Sequence, residues 1–291
     1  MRKLVVLGSG GRLGAALARH CAADAEVIGF DHQALDLASP EALERALGEI
    51  DFDALVNCAA LTQVDYCEKH APEAYAVNAQ AVGVIGRICE RRKARCIHIS
   101  TDYVFEGSKA APYVETDEAC PISVYGESKR RGEIELLEAS CAHLAARVSW
   151  VFGPERPSFV DQVIRQARES DRVQAIGDKW STPTFTGDLA RWLHSLTWDH
   201  PVGGVIHLAQ SGACTWQEYG QYALDCAAEA GAPLKTRSVN FQALAELKAF
   251  VARRPVYTVL DTGRFARLTG VEPRPWREAV REYIRQQYGE R

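Results

Sequence analysis

The sequence predicts an α/β protein: a doubly wound parallel sheet with a second, smaller mixed lobe. Three observations predict it. Short, continuously apolar runs alternate with segments of helical spacing through the first half of the chain, as expected for strands covered on both faces. A glycine-rich turn follows the first apolar run and opens a helix. Beyond Gly153 the alternation weakens, which marks the start of a separate lobe.

In order along the chain, "KLVVLG" reads as the first strand, and "RLGAALARHCAA" as a helix with Leu13, Leu17 and Cys21 on one face. "AEVIGFD" is the second strand. "SPEALERALGE" is a helix with Ser39 as its N-cap and Pro40 at its first position, and "DALVNCAA" is the third strand. "PEAYAVNAQAVGVIGRICERRK" reads as one long helix, "RCIHIST" as a strand, "YGESKRRGEIELLEAS" as a helix and "LAARVSWVFG" as a single strand. Further on, "PSFVDQVIRQARES" and "TWQEYGQYALDCAAEAG" are helical, "GGVIHLA" is a strand, and "RRPVYTVLDTGRFARLTG" is a loop leading to a helix. The expected division is a first lobe over 1–150, to which 186–210 returns, and a second lobe made mainly of 151–291.

With 291 residues, 47% of them hydrophobic, the chain can bury a large core. A formal net charge of -4 and a pI near 6.1 provide no basic field for nucleic acid, and no Lys/Arg cluster suggests a membrane surface. The expected partner is a small soluble ligand. The apolar run Leu4 to Leu7 is too short for a signal-peptide core or a membrane span, so the expected location is the cytoplasm. Nine cysteines, an odd number without a C-x-x-C pair, read as reduced thiols packed as small hydrophobes. The eight histidines show no metal-ligand spacing, and no metal site is expected.

The chemistry starts at "VVLGSGGRLG". Gly8, Gly11 and Gly14 allow a tight turn, a close backbone approach to a pyrophosphate and tight helix-strand packing, while the helix N-terminus offers N–H groups to an anion. Alone this is a weak motif. Asp31 at the end of the second strand strengthens it, because an acid there bonds the adenosine ribose hydroxyls. The pair predicts a Rossmann-type lobe for NADH or NADPH. Asp31 repels a 2′-phosphate and tilts the expectation to NADH, whereas Arg12 and His32 offset it and admit NADPH.

Tyr125 and Lys129 lie four apart on a predicted helix, hence on one face. A lysine ammonium near a phenol favours the phenolate and brings its proton affinity toward the working pH. Thr101, at a strand end, can hydrogen-bond the reacting oxygen, so strand and helix converge on one carbonyl. A Tyr-x-x-x-Lys spacing by itself also fits a solvated helix face; the glycine turn, Asp31 and Thr101 favour the chemical reading.

At these residues the chain resembles the extended short-chain dehydrogenase/reductases, and within them the dTDP-4-dehydrorhamnose reductase family. The resemblance runs over nearly the whole chain, through "VNCAALTQVDYCEKHAPEAYAVNAQAVG", "STDYVFEG", "PYVETDEACPISVYGESKRRGE", "SWVFG", "STPTFTGDLA" and "RRPVYTVLDTGRF". It implies NAD(P)H-dependent reduction of the 4-keto group of a nucleotide-linked 6-deoxyhexose, with the sugar nucleotide held in the smaller lobe. By position it places Gly11, Arg12 and Leu13 at the pyrophosphate, Asp31 at the adenosine ribose, Asp36 and Leu37 at the adenine, and Ala59, Ala60 and Thr62 along the coenzyme groove. Tyr125 would donate the proton, Lys129 would be its partner, and Thr101 and Asp102 would touch substrate. Trp150 would pack on the hexose, or serve as a core tryptophan. Arg254, beside Arg253, would fork onto the diphosphate or belong to a solvated charge pair.

Related sugar-nucleotide dehydratases carry Thr-Asp-Glu at this strand end, because loss of water needs a second carboxyl group. Here the triplet is Thr101-Asp102-Tyr103, which suits a reductase. A regulatory branch of the family, non-catalytic and NAD(P)-binding, is the alternative of a different class. Ala15 stands where some members use an acid for a magnesium-bridged dimer, so magnesium is not expected. Monomer and homodimer both stay open. Leu61 and Trp180 depart from the usual family residues near the substrate and bear on which sugar is taken.

Overall fold

In the computed structural model, which describes residues 1–289, the apolar runs line up in one sheet. β1 (Arg2–Leu7), β2 (Ala25–Phe30), β3 (Ala54–Asn57), β4 (Arg95–Thr101) and β5 (Leu144–Val148) join strand Gly204–Leu208. The order is Gly204–Leu208, β5, β4, β3, β1, β2, and every pairing is parallel. Alternation along β1 explains its continuous apolarity. Leu4 and Val6 enter one core with Leu17 and Leu193, while Val5 and Leu7 enter the other with Leu43 and Ile85. Helix Pro40–Gly48 starts as expected, with Ser39 Oγ accepting the Ala42 N–H at 3.2 Å. The strand order reverses between β1 and β3, and there a cleft opens at the carboxyl ends of the strands.

Two elements differ from expectation. "LAARVSWVFG" is not one strand: Trp150 takes a left-handed φ of 37°, β5 stops at Val148, and Val151–Phe152 pairs with Thr184–Phe185 in a separate small sheet. The kink carries the chain out of the central sheet. The long helix is continuous from Ala71 to Arg92 but is not α-helical throughout, with a π turn at Ala76–Gln80 between Ala71–Tyr75 and Ala81–Arg92. Asn78 lies in that turn, fully buried; its Oδ1 accepts the Leu61 N–H at 2.9 Å and its Nδ2 donates to the Leu61 carbonyl at 3.0 Å. The π turn thereby fixes the segment that follows β3.

A second core gathers Phe152 of the strand Val151–Phe152 with Val160, Ile164, Tyr219, Trp276 and Tyr283 from helices Phe159–Glu169, Trp216–Glu229 and Trp276–Tyr288. Thr215 and Glu218 form a reciprocal cap at the start of the middle helix, with bonds of 3.1 and 2.8 Å. Helix Thr186–Trp198 packs on helix Arg12–Cys21, and strand Gly204–Leu208 pairs with β5, so this stretch of the later chain lies with the first half. All nine cysteines are free thiols. Among the described residues no helix is long and apolar enough to cross a membrane.

Candidate active site

A cavity of about 860 Å³ lies over the carboxyl ends of β1, β3 and β4. Its base is the glycine turn. Gly8 has φ +75° and donates its N–H to the Phe30 carbonyl at 2.7 Å, and a Cβ added there would come within 2.8 Å of the Ala59 nitrogen. Gly14 does not line the cavity; it packs on the Gly8 carbonyl, which a side chain would overlap. Gly11 precedes helix Arg12–Cys21 without any side-chain cap, which leaves the first helical amides for a ligand. A backbone cradle closed to side chains, ending in free helix amides, fits a dinucleotide pyrophosphate.

The other coenzyme candidates surround this base: Asp31, Asp36, Leu37, Ala59, Ala60 and Thr62 all line the cavity. The Ala34 and Gln33 amides, both 2.9 Å from Asp31 Oδ1, hold the Asp31 carboxyl below its ordinary range. It therefore stays anionic, facing the turn. Arg12 also lines the cavity, but its guanidinium is directed elsewhere: it donates to the carbonyls of Val151, Arg156 and Pro157 at 3.0, 3.3 and 2.6 Å. Arg156 returns the contact, its Nε donating to the Gly10 carbonyl at 2.9 Å. The cation beside the glycine turn is thus Arg156, 144 positions from Arg12; no local motif announces it.

Thr101, Tyr125 and Lys129 meet at the cavity's inner end. Thr101 ends β4 and accepts the Tyr103 N–H at 3.2 Å, which fixes its hydroxyl at the strand edge. Helix Val124–Ala139, capped by Ser123, sets Tyr125 and Lys129 one turn apart with both side chains buried. Lys129 Nζ donates to the Ile99 carbonyl at 2.6 Å and lies 3.0 Å from His98 Nε2. Burial lowers its proton affinity to a pKa of about 7, against a weaker pull upward from Glu133. Burial also drives the Tyr125 phenol upward; Thr101 opposes this, and Asp102 and Cys67 add to it. Burial, rather than a neighbouring ammonium, sets the direction of the Tyr125 phenol, opposite to the expected lowering.

In the outer wall, two of the expected substrate contacts are also tied into the protein. Asp102 is 2% exposed, and its Oδ2 accepts hydroxyls from Ser149, Ser181 and Thr258 at 2.9, 2.9 and 2.6 Å. That oxygen is occupied within the protein; Asp102 braces three segments as well as lining the cavity. Arg254 lines the cavity too, yet its guanidinium forks onto Asp65 at 2.9 and 2.7 Å. Burial raises the Asp65 carboxyl, but Arg254 and the Ala252 and Val251 amides outweigh it, and it lies below its ordinary value. Asp65 does not line the cavity itself but holds a residue that does, and nothing in the sequence marks it. Trp150 is half-buried at the cavity rim against Trp216 and Tyr219, at centroid distances of 5.6 and 6.1 Å, and its indole N–H has no partner. Leu61 lines the cavity; Trp180 does not. Among the described residues no three His, Cys, Asp or Glu side chains are placed to hold a metal.

A parallel sheet with a glycine turn after β1, and a tyrosine and a lysine one turn apart on the helix Val124–Ala139 beside the end of β4, is the architecture of the extended short-chain dehydrogenase/reductases. Within that class the chain belongs to the family described as RmlD substrate binding domain, whose model matches residues 1–288. It is 34% identical to the spore coat polysaccharide biosynthesis protein SpsK of Bacillus subtilis, over 98% of each chain. It is 33% identical to the dTDP-4-dehydrorhamnose reductase of Burkholderia thailandensis, over 96% of each. Its fold matches the crystal structure of dTDP-4-dehydrorhamnose reductase from Bacillus anthracis in complex with NADP, with a TM-score of 0.91, 27% identity, and coverage of 99% of this chain and 100% of that one.

Proposed function

We propose that the protein uses NAD(P)H to reduce the 4-keto group of a nucleotide-linked 6-deoxyhexose, converting dTDP-4-dehydro-L-rhamnose to dTDP-L-rhamnose in dTDP-rhamnose biosynthesis. The observation that carries this reading is the meeting of Thr101, Tyr125 and Lys129 with the glycine turn on one cavity, in a chain with relatives named for this reaction. The nicotinamide coenzyme, when bound, supplies the hydride. Tyr125 gives its phenolic proton to the oxygen of the reduced carbon, and its raised proton affinity keeps it a phenol until then. Thr101 orients that oxygen, and Lys129 holds the nicotinamide ribose.

In this reading Gly8, Gly11 and Leu13 receive the pyrophosphate, Asp31 the adenosine ribose, and Asp36 and Leu37 the adenine, while Ala59, Ala60 and Thr62 line the groove. Residues 1–150 with 186–210 form the coenzyme lobe, and the rest of 151–291 the sugar-nucleotide lobe. Trp150 faces the hexose, and Arg254 reaches the diphosphate while anchored by Asp65. Asp31 favours NADH and Arg156 favours the additional phosphate of NADPH. The enzyme works in the cytoplasm as a monomer or homodimer. Leu61 at the cavity, and the polysaccharide role named for SpsK, favour as second reading the same reaction on a different keto-sugar nucleotide.

The test is oxidation of NADPH and of NADH with freshly prepared dTDP-4-dehydro-L-rhamnose, with the sugar product identified. Formation of dTDP-L-rhamnose, lost in Tyr125→Phe, supports the reading. Turnover only with other keto sugars moves it to the second reading. Tight coenzyme binding with no reduction of any of them replaces it with a regulatory binding protein.

A further inference from the structure

His98 and Asn57 take no part in the reading above, yet both are fully buried and stand side by side in the register of β3 and β4. Hydrogen counting along them fixes the state of Lys129. The Ala59 N–H donates to Asn57 Oδ1 at 3.0 Å, so the other amide atom, the donor Nδ2, must face His98 Nδ1, 3.1 Å away. Nδ1 must then accept. Burial, and next to it Lys129, hold His98 far below its ordinary proton affinity, so the ring is neutral and carries its one hydrogen on Nε2. That N–H points at Lys129 Nζ across 3.0 Å. An ammonium has no lone pair to receive it, whereas an amine accepts it and still donates to the Ile99 carbonyl at 2.6 Å.

We propose that Asn57 and His98 are positioning residues that hold Lys129 as an uncharged amine before coenzyme binds, and so keep Tyr125 in its proton-giving phenol form. The one anion that pulls Lys129 the other way is Glu133, and burial outweighs it. Glu133, one turn along the helix, is taken by Ser100, Arg147 and Arg130 at 2.6 to 2.8 Å. The Cys58 and Cys67 thiols are both raised by burial, Cys58 to about 12, and stay neutral. Tyr125, the remaining titratable neighbour, is raised as well. Charging Lys129 would require the histidine proton to move to Nδ1, against the hydrogens of the Asn57 amide. Because Ala59 lines the coenzyme groove, the same chain of bonds links that wall to the protonation of the lysine. The consequence for Tyr125 rests on the reductase reading; the tautomer and the amine do not.

The test is nuclear magnetic resonance of the full, ligand-free chain labelled at histidine and lysine, with Lys129→Met assigning the lysine signal. The expected result is a His98 proton on Nε2 and a Lys129 proton affinity at least about tenfold weaker than that of an ordinary lysine. Asn57→Asp replaces the donor facing Nδ1 with an acceptor; it should move the ring proton to Nδ1 and raise the Lys129 proton affinity by at least about tenfold. A wild-type proton on Nδ1, or a Lys129 titrating like an exposed lysine, overturns the proposal even if Asn57→Asp does not fold. None of these readouts uses a sugar nucleotide, so an inactive enzyme would not be mistaken for a wrong tautomer.

Discussion

The two walls of the cavity are built on different principles. The wall beneath the glycine turn consists of backbone and short side chains a few positions beyond strand ends: Gly8 after β1, Asp31 after β2, Ala59 and Ala60 after β3, Thr101 at the end of β4. The facing wall is held by contacts that reach across the fold: Arg254 to Asp65 over 189 positions, Thr258 to Asp102 over 156, and Arg12 to the Val151 carbonyl over 139. Under the proposed function the first wall would recognise the part of a ligand that every dinucleotide shares, and strand geometry alone supplies it. The second depends on clasps that can be altered one at a time. Changes on the two sides should therefore separate coenzyme binding from sugar-nucleotide binding.

The largest expected effect falls where the walls meet. Tyr125→Phe should lower kcat by roughly 100-fold or more while the coenzyme Kd stays within about twofold, measured by steady-state kinetics and by titration. Loss of coenzyme binding as well would merge the two walls. On the first wall, Asp31→Asn should shift the NADPH-to-NADH ratio of kcat/KM by about tenfold toward NADPH and leave the sugar-nucleotide KM unchanged. A shift in that KM instead would break the separation.

On the second wall the effects are smaller. Arg254→Ala and Asp65→Asn should each raise the sugar-nucleotide KM by about fivefold, as expected for loss of one charged contact, with coenzyme Kd unchanged. An effect in Arg254→Ala alone would mean that Asp65 does not position the arginine. The smallest effect concerns stability. Lys129 binds its proton with a pKa of about 7 in the folded chain, against an ordinary 10.5. Between these values the unfolded chain holds more protons, so the lysine's contribution to stability improves as pH rises and is worst below about 7. The melting temperature of wild type relative to Lys129→Met should rise by a few degrees between pH 7 and pH 9.

Much of the first wall was legible because its determinants are local. Continuous apolarity marks strands buried on both faces, a glycine turn marks the first crossover, and the four-residue interval marks one face of a helix. The Ser39 cap and the place of Asp31 follow in the same way. The second wall was legible only in part. Arg254 and Trp150 could be picked out as residue types, but the partners Asp65, Trp216 and Tyr219 lie on other elements. Arg12 sits where the motif places it, yet carbonyls from 151–157 claim its guanidinium, and Arg156 takes the place beside the turn. Sequence spacing also cannot show a left-handed kink at a tryptophan or a π turn inside an apolar helix. Both are imposed by where the chain must go next.

Asn78 gives the coenzyme wall a property that its lack of secondary structure conceals. Holding the Leu61 peptide at both its N–H and its carbonyl, this side chain does for the loop what a neighbouring strand does inside the sheet. The Leu61 amide can therefore reach solvent only when the buried turn around Asn78 opens. Its hydrogen should exchange with deuterium on the time scale of the sheet, orders of magnitude more slowly than its position in the loop between β3 and the helix Val64–Lys69 suggests.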